Sequence, residues 1–168
     1  MLHCPLTLGQ LRKVGAITLV YNFCAMGGVR RSAAQSVQTR LGRGRRVADT
    51  VTIAVIDDDD SFRVALTESL STFGFEVRGY ASAEDFISAN GQDSCDLAVT
   101  DVHMPGMSGL DLARRLTNSG SKIPTILITA RSEASLEARA TAAGVACFLK
   151  KPFEIGELIK CIESALGA

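Results

Sequence analysis

The feature that most constrains this chain is the stretch over residues 97–109, Leu-Ala-Val-Thr-Asp-Val-His-Met-Pro-Gly-Met-Ser-Gly. Leu97, Ala98, Val99 and Thr100 form a short apolar run of the kind that becomes a buried strand in a parallel sheet. Asp101 ends that run, and Pro105, Gly106, Ser108 and Gly109 crowd a turn behind it. Ser108 is then placed to cap a following helix. One carboxylate therefore falls at the carboxyl end of a strand, where open α/β sheets hold their ligands. Taken alone, Asp101 could equally well close a turn; the rest of the chain decides.

From Val51 onward the same alternation of strand, turn and helix repeats. Residues 52–56 are β-branched and apolar and run into Asp57, Asp58, Asp59 and Asp60. Phe62, Leu66, Leu70 and Phe73 follow at helical spacing, and Gly74 is the stop. Residues 75–80 alternate as a second strand. Ser82 with Asp85 three positions on resembles a capping box, opening a short helix that ends near Asn90 and Gly91. After the third strand, Leu110, Ala113 and Leu116 mark a helix closed by Asn118, Ser119 and Gly120. Residues 124–129 read as a fourth strand. Residues 132–143 read as a fourth helix, rich in alanine, with Leu136 as its large apolar anchor. Residues 145–149 give the fifth strand, and Ile155, Leu158, Ile159, Ile162 and Leu166 line one face of the fifth helix. Such alternation predicts right-handed βαβ units: an α/β fold, a five-stranded parallel sheet with helices on both faces.

Charge divides the chain near Thr50. Residues 1–50 carry eight Lys or Arg against Asp49 alone, whereas residues 51–168 carry ten bases against seventeen acids. The basic part is poor in large apolar residues over 30–46 and is expected to be a disordered extension, with the natural start close to Val47. Its arginines lack interleaved aromatics, so a nucleic-acid arm ranks below a plain tail. Residues 51–168 are expected to form the folded domain. Cys4, Cys24, Cys95, Cys147 and Cys161 form no Cys-x-x-Cys pair, which predicts reduced thiols in a cytoplasmic protein rather than zinc or a disulfide framework. No run of eighteen apolar residues is present, and no membrane association is expected.

Four of the five strands end in a residue capable of chemistry: Asp57 and Asp58, Asp101, Thr129, and Lys150 with Lys151 before Pro152. A parallel sheet brings all those ends to one edge. Clustered carboxylates repel and raise one another's pKa unless a cation sits among them, and hard oxygen ligands suit Mg2+. Lys151 and Thr129 supply a point charge and a hydrogen-bond donor for a phosphoryl group, leaving Asp101 as the nucleophile that forms an acyl phosphate. Each residue also has an ordinary explanation. A threonine after a strand is usually a turn residue, and an acidic run usually serves the dipole of the next helix. All four strand ends fitting one chemistry by chance is much less expected.

From about Thr52 to Leu166 the chain resembles the receiver domain of two-component response regulators. The matches are Val-Ile-Asp-Asp-Asp-Asp, Val-Thr-Asp-Val-His-Met-Pro-Gly-Met-Ser-Gly, Ile-Leu-Ile-Thr-Ala and Phe-Leu-Lys-Lys-Pro-Phe, in the family's order and spacing. The stretch Gly-Phe-Glu-Val-Arg-Gly-Tyr-Ala-Ser-Ala-Glu-Asp-Phe looks like the FixJ-type branch. The resemblance implies the flavodoxin-like (βα)5 fold, with Asp101 as phosphoacceptor and Asp57 and Asp58 as the acidic pair holding Mg2+. His103 would complete the metal shell through its backbone carbonyl. Thr129 would be the switch hydroxyl, Lys151 the phosphate-binding lysine, and Phe148 the switch aromatic; the Lys151–Pro152 bond is commonly cis in this family.

The implied partners are a sensor histidine kinase and a downstream protein bound on the face of the fourth helix, fifth strand and fifth helix. No DNA-binding or enzymatic output domain follows Ala168, so a stand-alone regulator is expected, with self-catalysed phosphorylation and dephosphorylation as its only chemistry. A phosphate sink or a phosphorelay intermediate is an alternative. An aspartate-nucleophile phosphatase is disfavoured because His103 stands where that class has a second aspartate.

Overall fold

Successive residues of a strand point to opposite faces of a sheet, and that parity divides the interior of this protein. A computed structural model describes residues 50–131 and 134–167; the expected basic extension, apart from Thr50, lies outside them, as do Cys4 and Cys24. In chain order the elements are β1 (Thr52–Ile56), α1 (Asp60–Thr72), β2 (Glu76–Tyr80), α2 (Ala83–Ser88), α3 (Gly91–Ser94) and β3 (Leu97–Asp101). There follow α4 (Gly109–Asn118), β4 (Thr125–Thr129), α5 (Ala134–Ala142), β5 (Cys147–Lys150) and α6 (Ile155–Ala165). The five strands are all parallel, in the order β2-β1-β3-β4-β5.

Ile53 and Val55 of β1, Leu97 and Val99 of β3 and Ile126 and Ile128 of β4 pack under α1 and α6 with Leu66, Leu70, Leu158 and Ile162. Their neighbours Ala54, Ile56 and Ala98 face α2 and α4, against Phe86, Leu112 and Leu116. Leu127 faces α5 and its Leu136, Ala140 and Ala143. β1, β3 and β4 are buried at every position, which is why they read as unbroken apolar runs. The edge strand β2 is largely exposed. Cys147 and Leu149 of β5 lean toward the α1–α6 side, and Phe148 toward α5.

Capping follows the sequence closely. Asp59 caps α1 by accepting the Ser61 and Phe62 N–H groups, Ser82 caps α2 through Asp85 N–H, and Ser108 caps α4 through Asp111 N–H.

Three expectations need correction. Among the described residues six helices are present rather than five. At Asn90 the chain turns left-handed (φ 51°) and starts the one-turn α3, which packs so closely that a Cβ on Gly91 would stand 2.2 Å from the Phe86 ring. The fifth strand begins at Cys147, not at residue 145, because Val145 N–H still bonds back to the Ala140 carbonyl and finishes the end of α5. The third concerns the thiols: Cys147 and Cys161 are joined in a disulfide, while Cys95 is free. Folding β5 against α6 brings those two cysteines to a Cα–Cα distance of 5.9 Å, within bridging range, although their spacing in the chain carries no such signal. Among the described residues no helix is long and apolar enough to cross a membrane.

Candidate functional site

The parity that sorts the core also sorts the strand ends. Asp57 continues the phase of Ile53 and Val55, Asp101 that of Leu97 and Val99, and Lys151 that of Leu149, all on the α1–α6 side. Asp57 and Asp101 are 2% and 7% exposed. Between them lies Lys151, whose Nζ donates to Asp57 Oδ2 at 2.9 Å and to Asp101 Oδ1 at 2.7 Å. The other carboxylate oxygens accept backbone N–H groups: Asp57 Oδ1 from Asp59 at 2.9 Å, and Asp101 Oδ2 from His103 at 2.6 Å. Two buried anions are thus held by one shared cation and two local turns. The Lys151–Pro152 peptide is cis. Lys150 is exposed, so of the two adjacent lysines Lys151 is the one in the site.

Burial pushes the Asp57 carboxyl above its ordinary range, outweighing the hydrogen bond and charge of Lys151 and the Asp59 N–H, with the Asp101 charge adding to the rise. Burial works to lower the Lys151 ammonium, but its hydrogen bonds to Asp101 and Asp57 and their charges prevail and raise it. Lys151 therefore stays charged at neutral pH.

Two partners of the site have no counterpart in the sequence reading. The Lys151 ammonium stands 3.8 Å from the centroid of the Phe62 ring, a cation–π contact, and Phe62 in turn meets Phe153 edge-on at 6.4 Å. Phe62 reads from sequence as a core residue, which it also is. Arg63 Nη1 donates to the Asp57 carbonyl at 2.6 Å and pairs with Asp60, pinning the loop that carries the acids. The only sequence signal for Arg63 is its place one turn after the acidic run.

Asp58 is exposed and takes no part in the lysine bridge. Among the described residues no group of three or more His, Cys, Asp or Glu side chains is gathered so as to hold a metal ion. The donor set of the bridged pair nevertheless suits a hard divalent cation. Two buried carboxylates outweigh one ammonium in charge, and each of their oxygens keeps a lone pair beyond the single donor it accepts.

Thr129 and Phe148 stand on the other face. Thr129 is 0% exposed, and its hydroxyl meets His103 Nδ1 and the backbone of Arg131 rather than the carboxylates. Phe148 is half-buried beside the α5 cluster. The loop from Asp101 into α4 is tied down by Met107 N–H donating to Glu84 Oε1 at 2.9 Å. At Gly109 a Cβ would come within 2.1 Å of the Asp101 carbonyl oxygen, so the helix can approach the acidic strand end only through a glycine.

Residues 53–163 match the response regulator receiver domain. The response regulator protein TmoT of Ectopseudomonas mendocina is 35% identical over 127 residues, which cover 76% of this chain and 58% of that protein. The transcriptional regulatory protein FixJ of Azorhizobium caulinodans is 35% identical over 119 residues, covering 71% of this chain and 56% of that protein. The chain thus spans just over half the length of these curated relatives. The crystal structure of FixJ-N superposes with a TM-score of 0.65 at 34% identity, covering 71% of this chain and 96% of the other. Receiver domains are phosphoacceptor switches of two-component systems, generally bind Mg2+ at the phosphorylation site and interact with histidine kinases. With a match that spans more than half its length and the receiver fold beneath it, this chain belongs to the response regulator receiver domain family.

Proposed function

We propose that this protein is a phosphorylation-dependent signalling switch in which Asp101 takes a phosphoryl group from the phosphohistidine of a sensor kinase in the cytoplasm. An Asp101 carboxylate oxygen attacks phosphorus, the P–N bond of the donor breaks, the electron pair leaves with the imidazole, and an acyl phosphate forms. The observation that carries this reading is the Lys151 ammonium lying between Asp57 and Asp101 at hydrogen-bond distance from both. It supports Asp101 as nucleophile, because the cation is already beside the oxygen that would bear the new negative group. Asp57, Asp58 and Asp101, with the backbone carbonyl of His103, would hold Mg2+. When bound, that ion neutralises charge on the phosphoryl oxygens. Lys151 orients the phosphoryl group as a point charge, and Thr129 donates its hydroxyl to a phosphoryl oxygen.

The signal then leaves by the α5–β5–α6 face to a downstream protein. Thr129 ends the strand before α5, and Phe148 packs against that helix, so movement of the threonine toward Asp101 frees room for the aromatic ring to follow. The test is incubation with acetyl phosphate and Mg2+ followed by intact mass. The wild-type chain should gain one phosphoryl group and Asp101→Asn none; labelling of the variant with ordinary yield would refute the assignment.

A further inference from the structure

The hydroxyl of Thr129 is fully committed. A threonine hydroxyl has one proton to donate and two lone pairs to accept with. Its Oγ1 lies 3.0 Å from the Arg131 carbonyl oxygen, which can only accept, so the proton points there. Arg131 N–H donates back at 3.2 Å and takes one lone pair. The third neighbour is His103 Nδ1, also at 3.2 Å. With the hydroxyl proton already placed, this contact is a hydrogen bond only when Nδ1 carries hydrogen and donates to the last lone pair. None of these partners belongs to Asp101, and Thr129 at 0% exposure has no direct access to solvent water to replace them. His103 itself is exposed, and its backbone N–H is held by Asp101 Oδ2. One residue therefore touches the acidic strand end through its backbone and the threonine through its ring.

We propose that His103 is a positioning residue whose imidazole N–H latches the Thr129 hydroxyl away from Asp101, so that the side chain at 103 sets how readily the protein switches. The inference rests on the reading that Asp101 is the phosphoacceptor. To donate to a phosphoryl oxygen there, the threonine hydroxyl must release the Arg131 carbonyl, and rotation of the side chain also breaks the contact with His103. A neutral hydrogen bond of this kind shifts such an equilibrium by about two- to tenfold. Leucine at 103 keeps the bulk and loses the donor. Asparagine keeps an N–H at nearly the same reach from the backbone, and either substitution leaves the carbonyl of residue 103 in place.

The experiment is calorimetric titration of the full chain with beryllofluoride, a stand-in for the phosphoryl group on an aspartate, in the presence of Mg2+. His103→Leu should bind about two- to tenfold more tightly than wild type, and His103→Asn should stay close to wild type. On a Thr129→Ala background, where affinity is lower overall, His103→Leu should change nothing further. A leucine variant no tighter than wild type, an asparagine variant that behaves like leucine, or a gain that persists without Thr129 would each overturn the latch while leaving Asp101 in its role. A wild-type chain that takes up no beryllofluoride would instead overturn the phosphoacceptor reading, and the latch with it.

Discussion

The buried Asp57 carboxylate is the most costly group in the site, since burial raises its pKa above the ordinary 3.8 despite the lysine beside it. A carboxyl raised on folding binds its proton more tightly in the folded state. Its ionised form therefore opposes folding above the folded pKa, and that opposition fades as pH falls through that value. Asp57→Asn should accordingly raise the thermal midpoint at pH 7 by about 2–6 °C, and the gain should shrink on acidification toward pH 4. Calorimetry of both proteins across that range checks the sign. The substitution leaves no orphan charge, because Lys151 keeps Asp101 as partner. At this scale the sequence was informative about residue types and much less about contacts. Asp101, Lys151 and Thr129 announce themselves by ending strands, but the 94 positions between Lys151 and Asp57 hide the ring of Phe62 lying over the ammonium. The bond from His103 to Thr129 is equally silent, because it depends on side-chain rotamers across 26 positions rather than on any local pattern.

Of the four longer helices α1, α4, α5 and α6, α5 is held most lightly. Its buried side chains Leu136 and Ala140, with Ala143 beyond its end, offer little apolar area, whereas α6 buries Leu158, Ile159 and Ile162 and is joined covalently to β5 through Cys161. At ~25 cal/mol per Å² the smaller contact implies local opening at low cost. Leu136→Ala should raise amide exchange across α5 by about tenfold or more while leaving α1 and α6 near wild-type protection; equal loosening of all three would contradict the local picture. Binding of beryllofluoride should alter protection over residues 134–151, and a response limited to the surroundings of Asp101 would exclude this face as the exit. Element types were legible because the helices repeat at 3.6 residues, whereas the inner strands are short unbroken apolar runs bounded by turn residues. The start of β5 was not, since Val145 is as apolar as a strand residue and only the returning hydrogen bond to Ala140 assigns it to the helix end.

For the whole molecule, the receiver match over residues 53–163 supports phosphotransfer as a property of the folded domain alone. A chain beginning at Val47 should therefore keep the midpoint of unfolding and the rate of labelling by acetyl phosphate. Labelling slowed by more than about twofold, which is some 0.4 kcal/mol, or a lowered midpoint would show that the basic segment serves the domain. The parallel sheet was foreseeable from alternation and handedness, while the disulfide was not, because only the folded packing of β5 on α6 brings its cysteines together. The same alternation gives the sheet the character of a partition. Carboxylates and ammonium stand on one side, the Thr129 hydroxyl and the Phe148 ring on the other, and the two meet at the rim of strand ends, where His103 touches both Asp101 and Thr129. A partition of this kind makes the molecule separable for an engineer, or for evolution. If Asp101 takes the phosphoryl group as proposed, substitutions beneath α1 would retune how the label is received, while those around α5 would choose its audience.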